Sequence, residues 1–239
     1  MQKKIFTCKQ FQIDDSRSAL KIGSDGMMLG AWADTFLCNS ILDIGTGSGL
    51  IALMQAQKNQ NAQIVGIDIH EGSVLDAVDN AKNTKWNDRL SFICADIKTY
   101  TFENRFDYII SNPPFFINST KAKTDALTGA KHTDSLSPED IIDLSTKMLS
   151  KKGKIAMILP FDLGNNLIEY AQKQQLFLSR KCIIYPVDYK KPNRLLFELT
   201  RHKPNKSLTE EIIHVRDSSK NNAFSNDYKT LLQDFMIRY

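Results

Sequence analysis

The chain has 239 residues, with 31 basic against 27 acidic side chains for a formal charge of +4, and 42% of its positions are hydrophobic. A globular chain of this length buries roughly 70–75% of the surface its unfolded form exposes, enough for one sizeable core. Such a composition excludes a disordered polymer, a collagen and a disulfide miniprotein, and no apolar run approaches the ~20 residues of a membrane-spanning helix. The opening MQKKIFTCKQFQIDD has no apolar core of signal-peptide length, so a cytoplasmic location is expected. Cys8, Cys38, Cys94 and Cys182 are scattered without metal-ligand spacing and read as reduced, mostly buried small hydrophobes. The charge is uneven: residues 1–179 carry 19 basic and 20 acidic groups, residues 180–239 carry 12 and 7. A basic end on a neutral body suits a polyanionic partner, although on composition alone an ordinary solvated surface is the more common cause.

In chain order, residues 1–35 form an extension ahead of the first central strand. Short apolar runs then recur at Ile41–Ile44, Ile64–Ile69, Leu90–Cys94, Phe106–Ser111, Lys154–Leu159, Phe177–Val187 and Leu195–Arg201. Helical spacing fits Gly49–Lys58, Gly72–Asn83 and Pro138–Leu149, the last with Ser137 as N-cap ahead of a first-turn proline. Strands alternating with helices predict an α/β fold with a largely parallel sheet, covered on both faces. The last two strands, joined by the short link Asp188–Asn193, are expected to form an antiparallel hairpin. The whole of 1–239 reads as one domain, with 36–239 as the catalytic sheet and its basic C-terminal part, and with a long polar stretch at 116–136.

Asp43-Ile44-Gly45-Thr46-Gly47-Ser48-Gly49 leaves one strand and opens a helix, so backbone amides can face a ligand at close range. The spacing is G-x-G-x-G. A dinucleotide fingerprint wants its third glycine one residue later, where Leu50 stands, which weighs against a pyrophosphate-binding Rossmann enzyme. A plain tight turn accounts for the glycines equally well at this point. Asp68 ends the second strand, where a carboxylate can accept both hydroxyls of a ribose, and Asp96 follows the third, where it can accept from an adenine amine. Either alone reads as a cap or turn residue; together at successive strand ends they outline a nucleoside-sized pocket. The pattern over residues 40–201 resembles the class I S-adenosylmethionine-dependent methyltransferases, whose seven-stranded sheet ends in an antiparallel hairpin. That resemblance implies S-adenosyl-L-methionine as cofactor, with the loop from Asp43 through Thr46 to Gly49 beside its amino-acid part, Asp68 at the ribose and Asp96 at the adenine.

Asn112-Pro113-Pro114-Phe115 directly follows the fourth strand. An exocyclic amine or amide nitrogen is a poor nucleophile, so a catalyst must accept its N–H bonds and hold it in line with the methyl carbon. The Asn112 side-chain oxygen and the Pro113 carbonyl are two such acceptors, the prolines stiffen the loop, and Phe115 offers a stacking face. A rigid turn with a buried phenylalanine is the bland account. The tetrad resembles the (N/D)-P-P-(F/Y/W) signature of amino-methyltransferases, which act on base amines or a glutamine amide and demand neither a metal nor a strong general base.

Phe11–Ala33 brings Gly23, Asp25, Gly26 and Gly30 together ahead of the first strand, either as a turn with a short helix or as a flap over the methionine end of the cofactor. Together with the glycine loop, Lys85 to Arg89, SNPPFF, Lys131-His132-Thr133 and the closing YKTLLQDFMIRY, this stretch is similar to the bacterial tRNA adenosine N6-methyltransferases that modify the adenosine beside the anticodon of a valine tRNA. The likeness extends over nearly the whole chain. It implies a monomeric, cytoplasmic enzyme acting on a tRNA anticodon loop. One departure is Lys131 where the family pattern has arginine, which loses the planar fork that grips phosphate. His132 has no required role, and Trp32 and Trp86 read as packing residues. Lys190, Lys191, Arg194, Arg201, Lys203 and Lys206 cluster around the terminal hairpin, and Lys121, Lys123 and Lys131 follow the tetrad; both groups can touch phosphates. The alternatives are a protein glutamine-amide methyltransferase with the same tetrad, an RNA-binding module with incidental catalysis, and, last, a nicotinamide enzyme.

Overall fold

The computed structural model describes residues 5–114, 136–204 and 208–237. Phe115, Lys121, Lys123, Lys131, His132, Thr133 and Lys206 lie outside the described residues. The first half of the chain runs β1 (Ile5–Thr7), β2 (Gln12–Asp14), α1 (Ser24–Trp32), β3 (Ser40–Ile44), α2 (Leu50–Lys58), β4 (Gln63–Asp68), α3 (Glu71–Lys82), β5 (Leu90–Cys94) and β6 (Phe106–Ser111). There follow α4 (Pro138–Met148), β7 (Leu149–Pro160), α5 (Phe161–Lys173), β8 (Phe177–Val187), β9 (Arg194–Thr200), β10 (Thr209–Asp217), β11 (Ala223–Phe224) and α6 (Asn226–Leu232).

All seven expected strands are present, in a sheet ordered β11-β10-β8-β9-β7-β6-β3-β4-β5. The five strands β3 to β7 are mutually parallel, and β9 runs antiparallel to both β7 and β8. This is the expected terminal hairpin. Among the described residues the sheet nevertheless has nine strands rather than seven, because β10 adds parallel to β8 and β11 turns back on β10. Neither has the apolar density that marks a covered strand: in β10, Ile212 is exposed while Ile213 is buried. Pairing with the free edge of β8 makes that weakly patterned segment a strand. A separate ribbon of β1 and β2 precedes the sheet.

Helices cover both faces of the sheet. One core gathers Leu29 of α1, Leu53 and Met54 of α2, and Leu232 of α6. The other gathers Ile141 and Ile142 of α4 with Leu167 and Ala171 of α5. Helix α4 starts on a capping box, with the Ser137 hydroxyl accepting from the Asp140 amide and Asp140 accepting from the Ser137 amide. Helix α5 carries Gly164 and an Asn-Asn pair that lower its helix propensity, so its sequence signal is weak. Gly164 is explained by packing, since a Cβ there would lie 3.1 Å from Leu195. Both tryptophans are packing residues: Trp32 is buried under the Arg180 guanidinium at 4.2 Å, and Trp86 meets Phe11 edge-on. All four cysteines are free; Cys8 and Cys182 are buried, Cys38 is half-buried, and Cys94 is exposed, so the expectation of burial holds for only part of the set. Among the described residues no helix is long and apolar enough to cross a membrane.

Candidate active site

Parallel pairing of β5, β4, β3 and β6 forces everything that follows these strands onto one edge of the sheet. On that edge Gly45, Thr46, Gly47, Asp68, Asp96, Asn112 and Pro114 line a cavity of about 380 Å³. Leu136 and the segment from Ala19 to Gly23, with Gly26, close its other side.

The glycine loop is a backbone device. Gly45, Gly47 and Gly49 have φ of +71°, +55° and +84°, a region closed to ordinary L-residues by Cβ sterics. Gly49 does not line the cavity; it lets the chain turn into α2 against Ala77, 3.1 Å from where a Cβ would stand. Asp68 closes the loop from the neighbouring strand by accepting from the Gly47 amide at 2.9 Å and from the His70 amide at 2.9 Å. Asp96 accepts from the Lys98 amide at 2.9 Å and is half-buried at the cavity wall. Two large aliphatics given no site role in the sequence reading, Ile69 and Ile97, directly follow these acids and line the same cavity. Ile69 is 66% exposed, the kind of surface a planar apolar ligand covers.

Asp43 stands beneath the loop rather than in the cavity. It is fully buried, with Oδ2 accepting from the Thr46 hydroxyl at 2.7 Å and the Ala52 amide at 3.2 Å. Its Oδ1 has no partner among the described residues. Burial pushes this carboxyl up to about 7, reinforced by nearby Asp68 and opposed by the two hydrogen bonds.

Asn112 is placed by a residue that sequence reasoning passed over. The Ser111 hydroxyl, fully buried, donates to the Ile44 carbonyl at 2.8 Å and ties the end of β6 to the root of the glycine loop. Asn112 is half-buried in the cavity wall, Pro113 is buried behind it and Pro114 is exposed at the lining. Gly26 of α1 approaches so closely that a Cβ would lie 3.1 Å from Leu50 and 3.7 Å from the Asn112 amide nitrogen. Asp25, grouped with Gly26 in the sequence, is turned elsewhere and does not line this cavity. It forms an ion pair with Arg194 at 2.7 Å. Adjacent helical residues face different directions, which composition cannot show.

The arrangement offers carboxylates, backbone and an amide side chain at successive strand ends around one cavity, which suits a nucleoside-like ligand and a second group bearing N–H donors. The methyltransferase small domain model matches residues 16–168. A tRNA1(Val) (adenine(37)-N6)-methyltransferase of Trichodesmium erythraeum is 38% identical over 241 residues, covering 98% of each chain. The chain belongs to this methyltransferase family. Among solved structures, a predicted O-methyltransferase from Agrobacterium tumefaciens matches with a TM-score of 0.66 at 18% identity, covering 88% of this chain and 96% of its own. A T. thermophilus 16S rRNA N2 methyltransferase in complex with AdoMet and guanosine matches with a TM-score of 0.58 at 16% identity, over 83% and 50%. These two likenesses establish the fold.

In this methyltransferase the segment over the cavity is held by α3. Buried Asp76 accepts from the Arg17 amide at 2.9 Å, the Arg17 Nε at 2.7 Å and the Ser18 hydroxyl at 2.8 Å. Asn80 accepts from the Asp14 amide and donates to the carbonyls of Asp14 and Ser48, each at 2.9 Å. Only the amphipathic spacing of α3 was legible beforehand; its inward Asp and Asn look like ordinary helix surface until the partner segment is in place.

Proposed function

We propose that this chain is an S-adenosylmethionine-dependent tRNA methyltransferase that modifies N6 of an adenosine in the anticodon loop, the one next to the anticodon of a valine tRNA. The observation that carries the reading is Asn112, set in the wall of the same cavity that the glycine loop, Asp68 and Asp96 line.

The residues fit the cofactor. Asp68 and Asp96 are acceptors for ribose hydroxyls and an adenine amine, Ile69 and Ile97 give an apolar bed for the base, and buried Asp43 holds the loop from below through the Thr46 hydroxyl and the Ala52 amide. When bound, S-adenosylmethionine supplies a methyl group on a sulfonium, whose positive charge is lost on transfer. The chain's task is then orientation. The Asn112 side-chain oxygen and the Pro113 carbonyl accept the two amine hydrogens and turn the nitrogen lone pair toward the methyl carbon, while Phe115 provides the face against which the base stacks. Alignment of this kind supplies several kcal/mol without a general base, because the nitrogen becomes strongly acidic once methylated and then gives up one proton to water. The adenine must leave its stack to reach Asn112, which costs least in a single-stranded loop. Residues 1–239 act as one domain, with residues up to 35 serving as extension and flap.

The test is incubation with radiolabelled S-adenosylmethionine and unmodified tRNA, followed by digestion and nucleoside analysis. N6-methyladenosine is the expected product, and Asn112→Ala is expected to lower kcat by at least about 100-fold with cofactor affinity retained. Label in protein that survives ribonuclease, or undiminished product from Asn112→Ala, would refute the reading.

A further inference from the structure

The same sheet edge holds a second cavity, of about 470 Å³, within the range of ligand pockets, about 300–1,000 Å³. The start of α1 is the wall between the two: Gly26 lines the first cavity and Asp25 the second. The other walls come from the end of β8, the link to β9, the first residue of β9 and the end of β10.

Its chemistry is opposite to that of the first cavity. Lys190, Arg194 and Arg216 face it, and among the described residues Asp25 is the one carboxylate in its lining. The nearby acids Asp188 and Asp217 are engaged with Ser218 and Lys220. Both guanidinium groups are held in advance. Arg194 pairs with Asp25 at 2.7 Å and donates to the Asn193 carbonyl, while Arg216 donates to the Asn222 carbonyl at 2.7 Å and lies 4.4 Å from the Phe224 ring. Pre-placed donors bind an anion without the entropy cost of ordering flexible side chains. On the rim stands Tyr189, 69% exposed, an aromatic face open to solvent beside these cations. Cations beside an exposed ring are what a single-stranded nucleotide requires, its phosphate meeting charge and its base a flat surface. The placement also suits: β9 lies two strand spacings from β6, about 10 Å across the sheet, and Asn112 follows β6.

We propose that this cavity holds a nucleotide flanking the target adenosine, its phosphate against Lys190, Arg194 and Arg216 and its base on Tyr189. The inference rests on the RNA reading above and specifies where the chain beside the modified base goes. Contacts to neighbouring nucleotides are a source of sequence context for enzymes that extrude a base.

Lys190 and Tyr189 sit on the exposed link, so substituting them leaves the core intact. Anticodon stem-loop RNA is titrated into wild type, Lys190→Ala and Tyr189→Ala over a series of salt concentrations, with cofactor affinity measured alongside. Lys190→Ala is expected to weaken RNA binding several-fold and to reduce the slope of log K against log salt by about one. Tyr189→Ala is expected to weaken binding about 10-fold with the slope unchanged. Cofactor affinity stays at wild type in both. Wild-type RNA affinity and salt slope in both variants would overturn the proposal even if wild-type enzyme makes N6-methyladenosine. A wild type that binds the RNA but makes none refutes the functional reading alone, because the binding data still judge the cavity.

Discussion

The two cavities flank one helix on one sheet edge, yet they are built by opposite means. The first is made of backbone and short side chains: Gly45 and Gly47 at positive φ, Asp68 on the Gly47 amide, and Ser111 on the Ile44 carbonyl. The second is made of long cationic side chains projecting from a hairpin link and an appended strand. Short groups on paired parallel strands leave little freedom, which suits recognition of one small ligand. Long charged groups on an edge reach further and follow a polymer whose backbone repeats the same charge. Helix α1 belongs to both, through Gly26 on one side and the Asp25–Arg194 ion pair on the other.

If the halves are separate in this sense, damage to one leaves the other working. Asp68→Ala removes a charged acceptor from both the loop and the bound ligand, so cofactor affinity is expected to fall by about 1.5–3 kcal/mol, or roughly 10- to 100-fold. Calorimetric titration measures it, and RNA affinity in the absence of cofactor should be unchanged. A parallel loss of RNA binding would erase the division. Asp76→Ala strips the partners of Arg17 and Ser18 from beneath the flap. Urea denaturation is expected to show a loss of about 1–3 kcal/mol, accompanied by weaker cofactor binding.

Asp43 sharpens the contrast through pH. Its native value of about 7 lies above the ordinary 3.8, so between those pH values the folded chain keeps a proton that the unfolded chain has released. The stability attached to that proton is present at pH 4 and lost as pH rises to about 7. Asp43→Asn is expected to flatten this part of the stability profile, read from denaturation midpoints at pH 4.5 and 7.5. An unchanged profile would mean that burial of Asp43 does not control its ionisation.

Much of the first cavity could be read directly because its signals are local. Glycines at alternate positions, an acid closing each apolar run and Asn-Pro-Pro-Phe after a fourth run lie on the chain beside the strands that place them. Ser111, Asp76 and Asn80 escaped notice because each is a common polar residue whose partner is far away in sequence: Ile44, Arg17 with Ser18, and Asp14 with Ser48. The basic cluster at the hairpin was visible as composition, but its division was not. Lys190 and Arg194 share a cavity with Arg216, whereas the Arg201 guanidinium donates to the Thr146 carbonyl of α4 instead.

The alternation of strands and helices, the glycine loop and the order of chemistry along the sheet edge are written in the chain itself, because hydrophobic period and turn chemistry act over a few residues. Packing between distant segments is what sends Asp25 and Gly26 to different cavities, sets Asp43 beneath the loop, and lets residues 209–224 widen the described sheet to nine strands. These outcomes depend on which distant surface each residue meets. Chain folding sets that choice through pairing and burial, which no local pattern encodes.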